Sequence, residues 1–286
     1  MFGPHPAKAE LEARTGRRVV RFSGLSGGCV GDVSLAEMDD GSRYVAKVGD
    51  AGSGLEIEGW MLSHLAEHSD LPVPGVLYAD DTLLLMDYVP SGGRVTAQGE
   101  RHAADLLVSL HGIKGEVFGL ERDTLIGGLH QPNPKTATWV DFFRDQRLLF
   151  MAGEAERAGR LPSSLMRRIE TLAGRLSEWI DEPAHPSLIH GDIWSGNVLG
   201  DGDRIAAFID PALYYADPEI ELAFITLFST FGDAFFRHYD ERVGIRPGFF
   251  EIRRDLYNLY PLLVHVRLFG GSYVSSVERT LSRFGV

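Results

Sequence analysis

LIHGDIWSGNVLGDGDRIAAFIDP, running from Leu188 to Pro211, decides how this chain is read. Two apolar runs, Leu188-Ile189 and Ile205 to Ile209, each end in a polar cluster. Together the clusters supply His190, Asp192, Asn197 and Asp210. An Asp after a strand is often only a turn or a cap, but this combination matches a demanding chemistry. Phosphoryl transfer from a nucleotide passes through a loose, anionic transition state, which calls for hard oxygen ligands to Mg2+ and a carboxylate that orients the attacking hydroxyl. The spacing Asp192-x-x-x-x-Asn197 is that of a kinase catalytic loop, with Asp as the hydroxyl-positioning group and Asn as a metal ligand. Asp210 then stands where the second metal ligand belongs.

Working outward, residues 18–87 read as a strand-rich segment interrupted by one helix. Arg18–Phe22, Val30–Met38, Tyr44–Val48 and Thr82–Met86 are β-favouring runs separated by Gly, Asp and Ser turns. The helix is expected over Leu55–Leu65, and Leu71-Pro72-Val73-Pro74 reads as an extended connector. The breakers Pro90-Ser91-Gly92-Gly93 mark a boundary, so the expected division is residues 1–89 and 90–286. Beyond it, Gln98–His111, Thr138–Ala158, Pro162–Ile180, Pro218–Thr230 and Phe249–Phe269 carry helical spacing. The fold class expected is α+β: a protein-kinase-like two-lobe fold, with a small antiparallel β lobe holding one helix and a larger, mainly helical lobe.

The first lobe can complete a nucleotide site. Residues 24–31, GLSGGCVG, lie between two strands, where Gly27 and Gly28 would let backbone N–H groups approach phosphates. The loop matches neither G-x-G-x-x-G nor a Walker A sequence, and a hairpin turn is its structural alternative. Lys47 ends Tyr44-Val45-Ala46-Lys47-Val48, like the strand lysine that contacts the α- and β-phosphates. Glu58 is the expected partner on the following helix, with Glu56 in reserve. Met86 would guard the adenine pocket while the backbone of Asp87, Tyr88 and Val89 bonds the base. Cys29 in the glycine loop is either a redox-sensitive thiol or an inert small residue.

Composition bounds the alternatives. The 286 residues are 44% apolar, carry a formal charge of −12 and contain one cysteine. This is enough apolar content for a sizeable core. The acidic balance argues against nucleic-acid and membrane-surface partners. A lone cysteine excludes an internal disulfide framework and suits a reducing cytoplasm. The first ten residues, MFGPHPAKAE, lack the apolar stretch of a secretory signal.

His190-Gly191-Asp192-Ile193-Trp194-Ser195-Gly196-Asn197 resembles the fructosamine kinases, or ketosamine 3-kinases, relatives of the aminoglycoside phosphotransferases and choline kinases. The likeness extends through Gly27-Gly28-Cys29-Val30, Phe118-Gly119, Gln131-x-Asn133, Trp139 with Phe142-Phe143 and Arg147-Leu148, Ile209-Asp210-Pro211-Ala212, Glu219-Ile220-Glu221-Leu222-Ala223, and His265 with Phe269-Gly270 and Tyr273. The resemblance implies ATP- and Mg2+-dependent phosphorylation of the O-3 hydroxyl of a ketosamine, small or protein-bound, which destabilises the adduct in a deglycation reaction. On this reading Asp192 orients the hydroxyl with an ordinary carboxylate pKa, Lys47 neutralises phosphate charge, and Trp194 either packs against the sugar or its amine or is a buried structural residue. His190 organises the loop, while Gln131 and Asn133 could serve either the fold or the substrate. A cytoplasmic monomer is expected. Asp210-Pro211-Ala212 in place of D-F-G, with no A-P-E segment after it, argues against a phosphorylation-ordered activation loop. The competing readings are an aminoglycoside- or choline-type phosphotransferase and a non-catalytic nucleotide-binding module.

Overall fold

The structure, a computed structural model, describes residues 5–25 and 32–286. A short helix α1 (Lys8–Thr15) leads into β1 (Val19–Gly24), β2 (Asp32–Met38), β3 (Arg43–Val48), α2 (Leu55–His68), β4 (Val76–Ala79) and β5 (Leu83–Asp87). The strands form one antiparallel sheet in the order β1-β2-β3-β5-β4. Alternation along each strand gives the sheet two apolar faces. One face packs Ala36, Met38, Ala46 and Leu85 with Leu11 of α1, and the other packs Val45, Leu84 and Met86 with Leu55 and Leu62 of α2. Gly59 allows α2 to approach closely, since a Cβ there would lie 2.4 Å from that of Ala79. Two elements escape the sequence expectation. Helix α1 contributes only Leu11 to the core from a charged octapeptide, and β4 follows the prolines directly with all four residues half-buried.

After the breakers come α3 (Ala97–His111), the hairpin β6 (Thr124–Ile126) and β7 (Leu129–Gln131), α4 (Trp139–Phe142), α5 (Phe150–Arg157), α6 (Ser163–Ala173), β8 (Ser187–Ile189), β9 (Val198–Asp201), β10 (Arg204–Phe208), β11 (Tyr214–Ala216), α7 (Glu219–Leu227), α8 (Asp233–Val243), α9 (Arg254–Tyr257), α10 (Leu259–Phe269) and α11 (Ser272–Arg283). They share one large apolar core. The helix expected over Thr138–Ala158 is interrupted by a π-helical segment, Phe143–Leu149, within which Arg147 is fully buried. Helices α8 and α11 fall outside the expected set because each commits only two residues to the core, Phe235 with Tyr239 and Val277 with Leu281. Among the described residues no helix is long and apolar enough to cross a membrane.

Candidate active site

The two apolar runs of the opening stretch do not pair with each other. Leu188-Ile189 lies in β8, which pairs with β11, and Ile205–Phe208 lies in β10, which pairs with β9. Backbone hydrogen bonds then tie the two polar clusters together: the amide of Ala212 donates to the His190 carbonyl at 2.8 Å, and that of Ile209 to the Asn197 carbonyl at 3.0 Å. Gly191 has φ +87° in the resulting turn, and a Cβ there would meet the Ala212 carbonyl oxygen at 2.2 Å. Only glycine satisfies both the left-handed backbone and the contact. Asp210 also has a positive φ, +54°, an unfavourable conformation for a side-chain-bearing residue that holds its carboxylate beside Lys47.

Lys47 Nζ lies 2.6 Å from Glu58 Oε1 and 2.5 Å from Asp210 Oδ1, so one ammonium joins β3, α2 and the segment after β10. Glu56, the reserve partner, points to solvent. Burial pulls the Lys47 ammonium down, but Glu58 and Asp210 outweigh it and raise its pKa above the usual lysine value. For Glu58 burial dominates, with repulsion from Asp210 adding to it and Lys47 opposing, and its pKa rises to about 7. Asn197 donates its amide at 2.9 Å to both the backbone oxygen and Oδ2 of Asp192. Its Oδ1 is thereby left as the available acceptor.

Asp192 departs from the expectation of an ordinary carboxylate. Burial above all, then the Asp210 charge, push its pKa up to about 8, against the Asn197 hydrogen bond. His190 is fully buried, with Nδ1 3.3 Å from the Asp192 amide, a loop-organising position; burial lowers its pKa.

These groups open onto one cavity of about 390 Å³ between the sheet and the helical part. Val33, Val45, Met86, Leu199 and Ile209 form its apolar end, while Lys47, Glu58, Asp192, Asn197, Asp210 and Trp194 form its polar end. Within the hinge, the Asp87 amide donates to the Gly75 carbonyl and the Tyr88 amide to that of Arg43, whereas the Val89 amide has no partner among the described residues. The Trp194 ring lies over Gly196, where a Cβ would come within 2.4 Å of it, and faces Phe228 at 6.4 Å. The indole is 36% exposed, so it is available to a ligand. Gly27, Gly28 and Cys29 lie outside the described residues.

Gln131 and Asn133 are buried beneath the site and are absent from the cavity wall. Gln131 donates to the Ala212 carbonyl at 3.1 Å and accepts from Tyr260 at 2.6 Å; Asn133 accepts from Arg147 at 2.6 Å. Arg147, stacked 3.8 Å from the Tyr214 ring centre, braces this layer. Sequence reasoning passed over Leu125, Gly127 and Gly128 of the β6–β7 hairpin, which line the cavity. Three-residue strands around a Gly-Gly turn carry too little periodicity to mark them.

A family model described as Fructosamine kinase matches residues 6–284. A Synechocystis protein named Probable ketoamine kinase is 31% identical over 96% of this chain and 94% of its own length. The chloroplastic protein-ribulosamine 3-kinase of Oryza sativa subsp. indica is 32% identical over 91% of this chain and 77% of its own. A crystal structure from Thermobifida fusca YX-ER1, assigned as a fructosamine-3-kinase, superposes with a TM-score of 0.87 at 30% identity, covering 98% of this chain and 100% of that one.

Proposed function

The chain belongs to the fructosamine kinase family, and we propose that it transfers the γ-phosphoryl group of ATP to the O-3 hydroxyl of a ketosamine through the cleft between residues 1–89 and 90–286. It is a kinase whose acceptor is a hydroxyl group of a ketosamine. The observation that carries the mechanism is the convergence of Lys47, Glu58, Asp192, Asn197, Asp210 and Trp194 on one cavity.

The apolar end suits an adenine ring between Val33 and Val45 above and Leu199 and Ile209 below, with Met86 behind it and the Val89 amide donating to its edge. Lys47, held by Glu58, is placed to neutralise phosphate oxygens. Asp210 and Asn197 fit Mg2+, because a carboxylate and an amide oxygen are the hard donors that this ion takes. When bound, Mg2+ supplies charge neutralisation at the β- and γ-phosphates. Asp192 accepts a hydrogen bond from O-3 and aims it at the γ-phosphorus. As the O-3–phosphorus bond forms and the bond to the bridging β,γ-oxygen breaks, the hydroxyl proton passes to Asp192 and then to solvent. Asp192 does this in its ionised form, and a cation held by Asp210 would offset the Asp210 charge that, after burial, helps to raise its pKa. Trp194 packs against the sugar or its amine.

A monomer in the cytoplasm is the setting that goes with this proposal, and the ATP requirement accords with the cytoplasm. The decisive experiment is an acceptor panel scored by ADP release: ribulose, erythrulose and fructose adducts of lysine against an aminoglycoside and choline. Turnover confined to the ketosamines is expected. Robust turnover of the aminoglycoside with none of any ketosamine overturns the reading.

A further inference from the structure

Glu221, in the first turn of α7, takes no part in the chemistry described above, yet its side chain is fully buried directly behind the catalytic loop. Its two oxygens accept three donors. The Gly191 amide reaches Oε1 at 2.6 Å and the His190 amide reaches Oε2 at 3.4 Å. His111 Nε2, from the last turn of α3, lies 2.8 Å from Oε2. A carboxylate can only accept, so Nε2 of His111 carries the proton and its Nδ1 receives the Tyr239 hydroxyl of α8 at 2.8 Å. Residues from α3, α7 and α8 therefore converge on the peptide immediately before Asp192.

The carbonyl of that peptide is held by the Ala212 amide, and its N–H goes to Glu221. Gly191 occupies a backbone region that glycine leaves easily, because no side chain restricts it. The turn at Gly191 sets the direction in which the chain enters Asp192, and Asn197 then holds the carboxylate from the other side. We propose that Glu221 is the positioning residue of the phosphoryl transfer: by clamping the Gly191 and His190 amides it fixes the angle at which Asp192 meets the acceptor hydroxyl, with His111 and Tyr239 holding the clamp in place. The assignment rests on the kinase reading above, and Glu221 itself touches neither nucleotide nor acceptor.

A positioning role predicts a split that a general loss of packing does not produce. Glu221→Asp keeps the charge but withdraws the oxygens by one methylene. Glu221→Gln keeps the reach, and its single oxygen can still take the Gly191 amide while its NH2 faces a His111 whose ring proton has moved to Nδ1. Steady-state kinetics with a ribulosamine, together with calorimetric titration of ADP, should give kcat in the order wild type, Glu221→Gln, Glu221→Asp. The Asp variant should lose on the order of 100-fold, as expected for a catalytic group displaced by about an ångström. ADP affinity and the KM for ATP should stay at wild-type values in both variants. Wild-type kcat in Glu221→Asp, or a loss of ADP affinity in step with kcat, overturns the proposal. If Glu221→Asp fails to fold, Glu221→Gln carries the same test through its kcat-against-KM split. If the wild type turns over no ketosamine, the acceptor reading fails instead, and slow transfer to water, which uses the same loop, supplies the comparison.

Discussion

Replacing Lys47 by Met removes the cation between two half-buried carboxylates, and the structure sets the size of the effect. Glu58 Oε1 and Asp210 Oδ1 both touch Nζ, so they lie at most roughly 5 Å apart. At an effective dielectric of about 20, two like charges at that separation repel by about 3 kcal/mol. This agrees with the roughly 3–5 kcal/mol lost when a buried pair is broken from one side. The sign with pH follows from which state binds the protons. With the lysine gone, burial and repulsion from Asp210 act unopposed on Glu58 and hold its folded pKa still further above its unfolded value. The folded variant then binds more protons than its unfolded chain, so its stability is fullest at low pH and falls as pH rises through the folded value. Urea unfolding of wild type and Lys47→Met, in EDTA and without nucleotide, at about pH 5 and about pH 8, should show a deficit near 3 kcal/mol at the higher pH that narrows at the lower. A deficit independent of pH, or none at pH 8, refutes the electrostatic account of the triad. The variant should also be catalytically dead.

Asp192→Asn should abolish turnover while leaving ATP binding nearly intact. Because the wild-type carboxyl is raised to about 8, it stabilises the fold relative to the unfolded chain below its unfolded pKa and loses that contribution as pH rises through 8. Stability of Asp192→Asn should accordingly fall less steeply than wild type between about pH 5 and 8 in urea titrations. Trp194→Ala should raise the KM for the ketosamine by roughly tenfold, the worth of about one lost aromatic contact, without changing the KM for ATP in initial-rate assays. Arg147→Lys should cost about 2 kcal/mol in chemical denaturation, since a point ammonium cannot serve both the Pro132 carbonyl and Asn133 while lying flat on Tyr214.

Much of the fold could be read because the N-terminal strands alternate and the longer C-terminal helices are strongly periodic. Strands β2, β3 and β5 and helix α2 occupy nearly the expected residues. What escaped were elements that contribute little apolar surface of their own: α1, α8, α11 and the three-residue strands β6, β7, β8 and β11. Helices α8 and α11 do carry an amphipathic pattern of their own, whereas the short strands are stabilised by what they pack against, which no local window contains. The same applies to the site. Glu58 could be preferred over Glu56 in advance, but Glu221 was only one letter in a similar stretch, because its partners His111, Gly191 and Tyr239 come from distant segments.

The sequence by itself carried the proposed chemistry: Asp192, Asn197, Asp210 and Lys47 are residue types in a pattern that suits phosphoryl transfer, and Trp194-Ser195-Gly196-Asn197 carried the family resemblance. Tertiary structure alone decided their state. Burial turned Asp192 from an ordinary carboxylate into one with a pKa near 8, and two carboxylates closed on Lys47. Gln131 and Asn133 became bracing below the site, and Glu221 was brought against the Gly191 amide. Spacing along the chain specifies which groups a local turn can present, whereas dielectric environment and long-range hydrogen bonds exist only once distant segments have packed together.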